Sequence, residues 1–194
     1  MKFIISTLVL PLLAAAAPTP KEDATTSPPF TVMALRSGSP IHFLTMTASD
    51  EHFWLGGNTA SYCPSEEGIV CPPGKETVLA ENGNAMDVEV PGGQQVYVGP
   101  AGALRYTQAH SASMPKGSTV GGMHYQAGKP YASVTFEGRG ASGLMACPTK
   151  NHARWQVFAA LQDAKVPTGN VDDCLGFDTV AETYKGKVPA WQYT

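Results

Sequence analysis

The sequence predicts an all-β protein, a compact antiparallel sandwich or barrel that is tied by two disulfides. Turn-forming residues are frequent, with 20 glycines and 16 prolines among 194 residues, which favours many turns and few long helices. Short runs rich in valine, phenylalanine, tyrosine and threonine lie between these turn residues. The hydrophobic fraction of 43% is sufficient for a packed core. A β-trefoil is the alternative fold, although the sequence does not display the threefold repeat that it would need.

The chain divides into three parts. Residues 1–17 are predicted to be a secretory signal peptide, because Lys2 precedes a short apolar run and small residues that suit cleavage. Residues 18–29 are rich in proline, threonine and serine and are predicted to form a disordered tail. Residues 30–194 are predicted to form a single all-β domain. No later run is apolar over the ~18 residues of a membrane span, so we expect no membrane anchor and a secreted, extracellular or cell-wall location.

In the first half of the domain, strands are predicted where a β-type run is bounded by turn residues: 30–36, 41–47, 52–55, 77–80, 86–90, 94–98 and 104–108. The first two are separated by Ser-Gly-Ser-Pro and are expected to form a hairpin. Asn82 and Gly83 are a strong signal for a two-residue hairpin turn with positive φ at both residues. The run 86–90 alternates apolar and acidic residues, which indicates a half-buried strand with one solvent-exposed face.

The second half begins with a loop at 109–122 that is rich in serine and glycine, and it continues with strands at 123–126, 131–137, 144–147, 153–161 and 177–184. The composition of 153–161 would also permit a helix. The alternation of Trp155, Val157 and Ala159 favours a strand.

Four cysteines follow the signal peptide: Cys63, Cys71, Cys147 and Cys174. An even number in an oxidising compartment argues for two disulfides, which allow three pairings. Cys63–Cys71 with Cys147–Cys174 is favoured because each pair closes a local loop rich in turn residues. Two pairings that link the halves of the domain, and a set of buried free thiols, remain as alternatives. No Cys-x-x-Cys occurs, so a zinc ribbon or a thioredoxin-like site is not indicated.

The charge composition argues against two classes of partner. With 13 basic and 16 acidic residues, the formal net charge is -3. A mildly acidic chain lacks the positive field that attracts nucleic acid or an anionic membrane surface. The candidate partners are therefore a cell-wall polysaccharide or a host protein, and the sequence does not predict an oligomeric state.

The motifs predict no catalytic residue, no metal site and no cofactor. Gly138, Gly140 and Gly143 have the spacing of the dinucleotide-binding fingerprint, but that motif requires a helix to follow. Residues 144–147 read as a strand, so we interpret these glycines as a tight turn. The histidines have no zinc-binding spacing and are expected in structural or surface roles: His42, His52, His110, His124 and His152.

A glycosidase would need two carboxyl groups, one acid and one base. The candidates are Glu66, Glu67, Asp87, Glu89, Glu137, Asp172 and Asp173, and their spacing pairs none of them with an aromatic subsite. The tryptophans could form a sugar-binding platform, although Trp155 is expected in the core: Trp54, Trp155 and Trp191. A small carbohydrate-active enzyme is therefore the third hypothesis for the function.

Seven blocks carry a family resemblance: VMALRSGSPIHF at 32–43, WLGGN at 54–58, Cys63-Pro64, LRYT at 104–107, GLMACP at 143–148, WQVFA at 155–159 and DCLG at 173–176. Together they resemble the secreted fungal cell-wall proteins of the PhiA type, a family also described as IgE-binding or allergen-like. The likeness covers residues 30 to about 180. The stretch 104–159 is also distantly similar to the Pir-type yeast wall proteins.

The resemblance implies a cell-wall or culture-fluid location and a role in the development of the wall or of conidium-forming cells. It implies no catalytic residues, so a non-enzymatic wall protein is the first hypothesis. Some members are elicitors of plant defence or allergens, which implies an effector that binds a host protein as the alternative. Two features depart from the family pattern: the additional Cys71, which supports a local bridge to Cys63, and the absence of an N-glycosylation sequon.

Overall fold

A computed structural model describes residues 26–194. The predicted signal peptide, residues 1–17, and residues 18–25 of the predicted tail lie outside the described residues. Within residues 26–194 the chain forms sixteen β-strands and two 3₁₀ turns, the latter at Glu81–Gly83 and Val171–Asp173. The strands are β1 Phe30–Leu35, β2 Met46–Ser49, β3 His52–Leu55, β4 Ser61–Tyr62, β5 Leu79–Ala80, β6 Ala85–Met86, β7 Val96–Val98, β8 Leu104–Tyr106, β9 Thr119–Val120, β10 Met123–Gln126, β11 Ser133–Gly138, β12 Ala141–Ser142, β13 Leu144–Pro148, β14 Trp155–Ala159, β15 Leu175–Thr183 and β16 Gln192–Tyr193.

Most strands belong to one eleven-stranded sheet in the order β6-β5-β1-β15-β13-β14-β3-β8-β7-β9, with β2 paired to β3. Two small sheets, β10-β11-β12 and β16-β4, complete the fold. Paired strands are antiparallel throughout, which confirms the predicted fold class. The end strands β6 and β9 do not pair with each other, so residues 26–194 contain no closed barrel. The strand order also shows no threefold repeat of the kind that a β-trefoil would need.

The pairing of β1 with β15 joins the two ends of the domain. Its register runs from Phe30 opposite Thr183 to Leu35 opposite Asp178. Buried and partly exposed residues alternate strictly along β1, so the strand has one core face and one outer face. The core face joins a single apolar cluster with the buried rings of Phe53 and Phe158. The outer face positions the site described below.

The predicted strand over 41–47 is wrong in its first part. Residues 41–43 form a turn, and β2 begins only at Met46. Phe43 adopts a left-handed conformation with φ 63°, and its N–H donates to the carbonyl of Ala34 at 2.9 Å. This contact folds the segment back onto β1 before the next strand starts.

The predicted strand over 86–90 is also too long, because β6 ends at Met86. Beyond it, the N–H groups of Glu89 and Val90 donate to the carbonyls of Ala190 and Trp191. Met86 and Val90 are buried and Glu89 is exposed, while Val88 is only partly buried, like Asp87. The backbone partners come from the end of the chain and do not form a continuing ladder.

The connection between β5 and β6 is built differently from the predicted two-residue turn. Asn82 and Gly83 do have positive φ, 61° and 93°, but a 3₁₀ turn fills the loop between the pair Ala80 and Ala85. Asn82 is held from outside the loop: its Oδ1 accepts the N–H of Ser27 at 2.9 Å, and its N–H donates to Ser27 Oγ at 3.0 Å. The end of the predicted tail is therefore bound to this loop.

Both favoured disulfides are present, Cys63–Cys71 and Cys147–Cys174. The first closes a surface loop between β4 and β5. In the second, Cys147 is fully buried in β13, and its partner directly precedes β15. The segment between them contains β14, so the strand interpretation of 153–161 is confirmed over Trp155–Ala159.

No helix among residues 26–194 is long and apolar enough to cross a membrane.

Candidate functional site

The outer face of the β1–β15 pair is the floor of a groove that crosses the large sheet. Two register pairs of this face, Thr31 with Glu182 and Met33 with Val180, line the groove. Loops that are distant in sequence form its walls. We describe it as two clefts on either side of β15.

The threonine cleft is the half lined by Thr31, Thr45, Thr47, Thr59, Thr77 and Asn58, with a volume of about 380 Å³. Its deepest hydroxyl groups are paired within the protein. Thr77 Oγ1 accepts the N–H of Ala48 at 2.8 Å and hydrogen-bonds Thr59 Oγ1 at 2.8 Å. The side chains of Thr45 and Asn58 are exposed at the rim, where they can hydrogen-bond a ligand.

The tyrosine cleft is the half lined by Tyr125, Pro130, Tyr131, Glu182 and Lys185, with a volume of about 480 Å³. Strand β10 positions Tyr125, and its ring centroid lies 5.0 Å from that of Phe30 in the core. Tyr131 lies in the loop between β10 and β11 and is 48% exposed. A tyrosine in this position offers a flat apolar face and a polar tip.

The groove carries four exposed charges, two of each sign: Lys75, Glu76, Glu182 and Lys185. The ion pairs found within residues 26–194 are elsewhere, Arg105 with Glu51 and Arg154 with Asp50. The groove charges therefore balance one another without being paired, and each can hydrogen-bond a ligand.

A second polar cluster lies at the turn between β2 and β3, between two openings of about 400 and 540 Å³. Here both carboxylate oxygens of Glu51 accept hydrogen bonds, from Arg105 Nη2 at 3.0 Å and from Gln108 Nε2 at 2.6 Å. Because the charge is neutralised and both oxygens are occupied, Glu51 braces the turn and is poorly suited to act as an acid or a base.

His52 adjoins this cluster, and its pKa is shifted by its surroundings. Burial lowers the pKa below its ordinary value of 6.5, and the hydrogen bond that Nδ1–H donates to the Asp50 carbonyl at 2.6 Å partly offsets the shift. The unfolded chain therefore binds a proton more readily than the folded chain. The free energy of unfolding contributed by His52 is present above pH 6.5 and is lost as the pH falls below it.

Replacing His52 with glutamine should remove this contribution. His52→Gln should lose less stability than the wild type between about pH 7.5 and about pH 5.5, as measured by urea unfolding. His110→Gln alters an exposed loop histidine and should follow the wild type. An identical pH dependence in His52→Gln and the wild type would contradict the expectation.

The residues that the sequence singled out lie on separate elements. Glu66 and Glu67 are on the Cys63–Cys71 loop, Glu137 is in β11, and Asp172 and Asp173 are in the second 3₁₀ turn. Within the described part of the chain, no group of three or more His, Cys, Asp or Glu side chains could hold a metal ion.

Gly138, Gly140 and Gly143 lie at the β11–β12 hairpin. Gly138 pairs with Ala141 across a two-residue turn, in which Arg139 and Gly140 have φ 52° and 81°. The segment is thus a tight turn followed by a strand, as interpreted from the sequence.

The tryptophans do not form an exposed platform. Trp54 is buried, with the Arg154 guanidinium 3.6 Å from its ring centroid, and Trp155 packs against the core while Trp191 is partly buried. The exposed large aromatic residues of the described chain are Phe43, Tyr62 and Tyr131.

Sequence reasoning missed Tyr131 and Glu182 as site residues. The position of Tyr131 after the turn-forming Gly-Lys-Pro at 128–130 could have marked it as an exposed aromatic residue.

Comparison with known proteins shows the family. The family model described as PhiA-like secreted protein matches residues 30–194. A protein of Arthroderma benhamiae, strain ATCC MYA-4681 / CBS 112371, described as "Uncharacterized secreted protein", is 48% identical over 196 residues, and the match covers 98% of each chain. The comparison with solved structures found no match.

The architecture is thus that of a secreted, disulfide-bonded all-β domain. The chain belongs to the PhiA-like secreted protein family.

Proposed function

We propose that this protein is a non-enzymatic component of the fungal cell wall that binds a wall polysaccharide through the groove. Its family and its relative are both described as secreted, which supports an extracellular site of action. The observation that indicates a polysaccharide as the ligand is the exposed ring of Tyr131. It lines one cleft with Tyr125, Glu182 and Lys185. Aromatic faces pack on the C–H faces of sugars, while carboxylate and ammonium groups hydrogen-bond hydroxyls.

The role that follows is retention in the wall during its assembly, including the wall of conidium-forming cells. A polysaccharide-binding domain needs no catalytic group for this role.

The position of the titratable groups supports binding without turnover. A glycosidase pairs a carboxylate with a carboxylic acid whose pKa is raised. Among the described carboxyl groups, burial raises the pKa of Asp87, and this residue lines neither cleft. In this proposal the groove carboxylates Glu76 and Glu182 act as hydrogen-bond acceptors.

Replacing Tyr131 with alanine should weaken binding to insoluble wall polysaccharide about tenfold or more. The reason is that binding loses about 1.5 kcal/mol or more of favourable free energy when no aromatic ring buries its face against the sugar. Binding is measured by co-sedimentation with purified β-glucan and with chitin. Tyr62→Ala is the matched control, because Tyr62 is 53% exposed in β4 and lines neither cleft.

Three outcomes would overturn the proposal. Wild-type protein that co-sediments with neither polysaccharide contradicts wall binding. Capture of a purified host protein without any polysaccharide binding favours the effector alternative. Release of reducing sugar by the wild type, abolished in Glu182→Gln or Glu76→Gln, would establish the carbohydrate-active enzyme instead.

A further inference from the structure

We infer that the threonine and tyrosine clefts act as one groove for a linear, uncharged, polyhydroxylated chain that lies across the strands. The inference rests on the proposed polysaccharide binding and specifies the direction, length and charge class of the ligand. Val180 and Glu182 line both clefts, so the two clefts adjoin along β15.

The backbone register sets the direction of the groove. Thr45 bridges to Met33, Met33 is opposite Val180, and the neighbouring Ala181 bridges to Ala132. These contacts form a row across four adjacent backbone segments. With strands about 4.8 Å apart, the row spans about 14 Å from one cleft to the other. A ligand must therefore be an extended chain to contact both ends, since a single sugar ring fills only one.

The groove suits an uncharged, polyhydroxylated chain. Its floor carries the apolar side chains of Met33 and Val180, which can pack on C–H faces, while threonine hydroxyls and Asn58 lie at one end. The four exposed charges, two positive and two negative, would set any strongly charged polymer against at least two like charges. A neutral chain meets no such repulsion.

The same geometry disfavours an extended peptide. Peptides that bind sheets do so by main-chain hydrogen bonds at an edge strand. The groove crosses the face of β1 and β15, which pair with each other over Phe30–Leu35. On their other sides, Met33 bridges to Thr45 and Ala181 bridges to Ala132, so the groove offers a peptide side chains and not a free edge strand.

The test measures affinity against ligand length with soluble N-acetylglucosamine oligomers and with β-linked glucose oligomers, from the disaccharide to the hexasaccharide. Isothermal calorimetry should show affinity rising with length until both clefts are spanned. Tyr131→Ala should weaken binding at all lengths. Asn58→Ala should weaken only the longer oligomers, about threefold to tenfold for one lost hydrogen bond. Gln162→Ala changes an exposed residue that lines neither cleft and should bind as the wild type.

Glucosamine oligomers of matched length carry positive charge and should bind at least tenfold more weakly than their N-acetylated counterparts. If Asn58→Ala binds every length as the wild type does while Tyr131→Ala is impaired, a single cleft binds sugar and the two-cleft inference is wrong, although the proposed function stands. If charged and neutral oligomers bind equally well, the inferred charge class is wrong. If no oligomer and no polysaccharide binds the wild type, the proposed function itself fails.

Discussion

Replacing both Cys147 and Cys174 with alanine is expected to lower the melting temperature by about 7 to 14 °C. The bridge links residues 27 apart in sequence, and a loop of that size is worth about 3.5 kcal/mol by the chain-entropy relation. For a domain of this length, each kcal/mol corresponds to about 2 to 4 °C. The loss of the fully buried Cys147 sulfur also removes packing contacts, which adds to the effect.

The position of the bridge also extends its stabilising effect to the groove. Cys147 follows Ala146, which is opposite Leu175 in the β13–β15 register. The link therefore clamps the start of β15, the strand that also pairs with β1 and forms the groove floor. Unfolding is followed by near-ultraviolet circular dichroism without reductant.

The pair Cys63→Ala and Cys71→Ala is the matched control. Its cysteines are only 8 apart in sequence, and the same relation gives about 2.5 kcal/mol. The bridge also lies in an exposed loop, with Val70 beside it 87% exposed. A larger fall in melting temperature for this control than for the Cys147 and Cys174 variant would overturn the ranking.

Replacing Gln94 with leucine is expected to lower the free energy of unfolding by about 3 kcal/mol or more. Gln94 is 2% exposed, and its side chain ties the last strand to the domain. Its Nε2 donates to the carbonyls of Thr107 at 2.8 Å and Tyr193 at 2.9 Å, and its Oε1 accepts the Tyr193 N–H at 2.8 Å. Leucine has a similar size but leaves three buried backbone groups without a partner, each worth about 1 to 3 kcal/mol.

Urea unfolding measures this effect as a lower midpoint at an unchanged m-value. Gln126→Leu is the control, since Gln126 is exposed at the end of β10 and should change stability by no more than about 0.5 kcal/mol. A midpoint for Gln94→Leu within error of the wild type would show that water or a rearranged backbone satisfies these groups. Faster amide exchange at Tyr193 should accompany the loss in stability.

Features governed by local chemistry were predictable from the sequence. The β11–β12 turn needs positive φ at Arg139 and Gly140. The glycines around it predict a turn from local sequence alone, because glycine adopts positive φ at little cost. The disulfides likewise follow from short loops in a secreted chain. Along the run 86–90, Met86 and Val90 are buried and Glu89 is exposed, as the alternation of apolar and acidic residues predicts, although the strand itself did not form.

The predicted strand ends failed where distant partners replaced local ones. The N–H groups of Glu89 and Val90 are satisfied by the carbonyls of Ala190 and Trp191, about a hundred residues away. These partners cannot be read from the sequence around 86–90. Phe43 does contact Ala34, as the predicted hairpin requires, but its left-handed conformation interrupts the extended backbone, so β2 begins only at Met46.

By itself, the sequence determined the all-β class, the strand-rich segments and, through its family resemblance, the membership in a secreted protein family. It favoured one of three cysteine pairings, and the structure confirms that pairing. The groove was decided only by the tertiary structure. Thr31 and Glu182 share its floor because β1 pairs with β15 across the whole domain, and Tyr131 reaches it because Ala132 bridges to β15. Alternation of apolar and polar residues shows that one face of a strand is exposed to solvent. It does not show which strand pairs with it, because every strand with that pattern is an equivalent pairing partner until the core packs. The choice among partners depends on the apolar surface that all the strands bury together, which is a property of the folded chain and not of any segment of it.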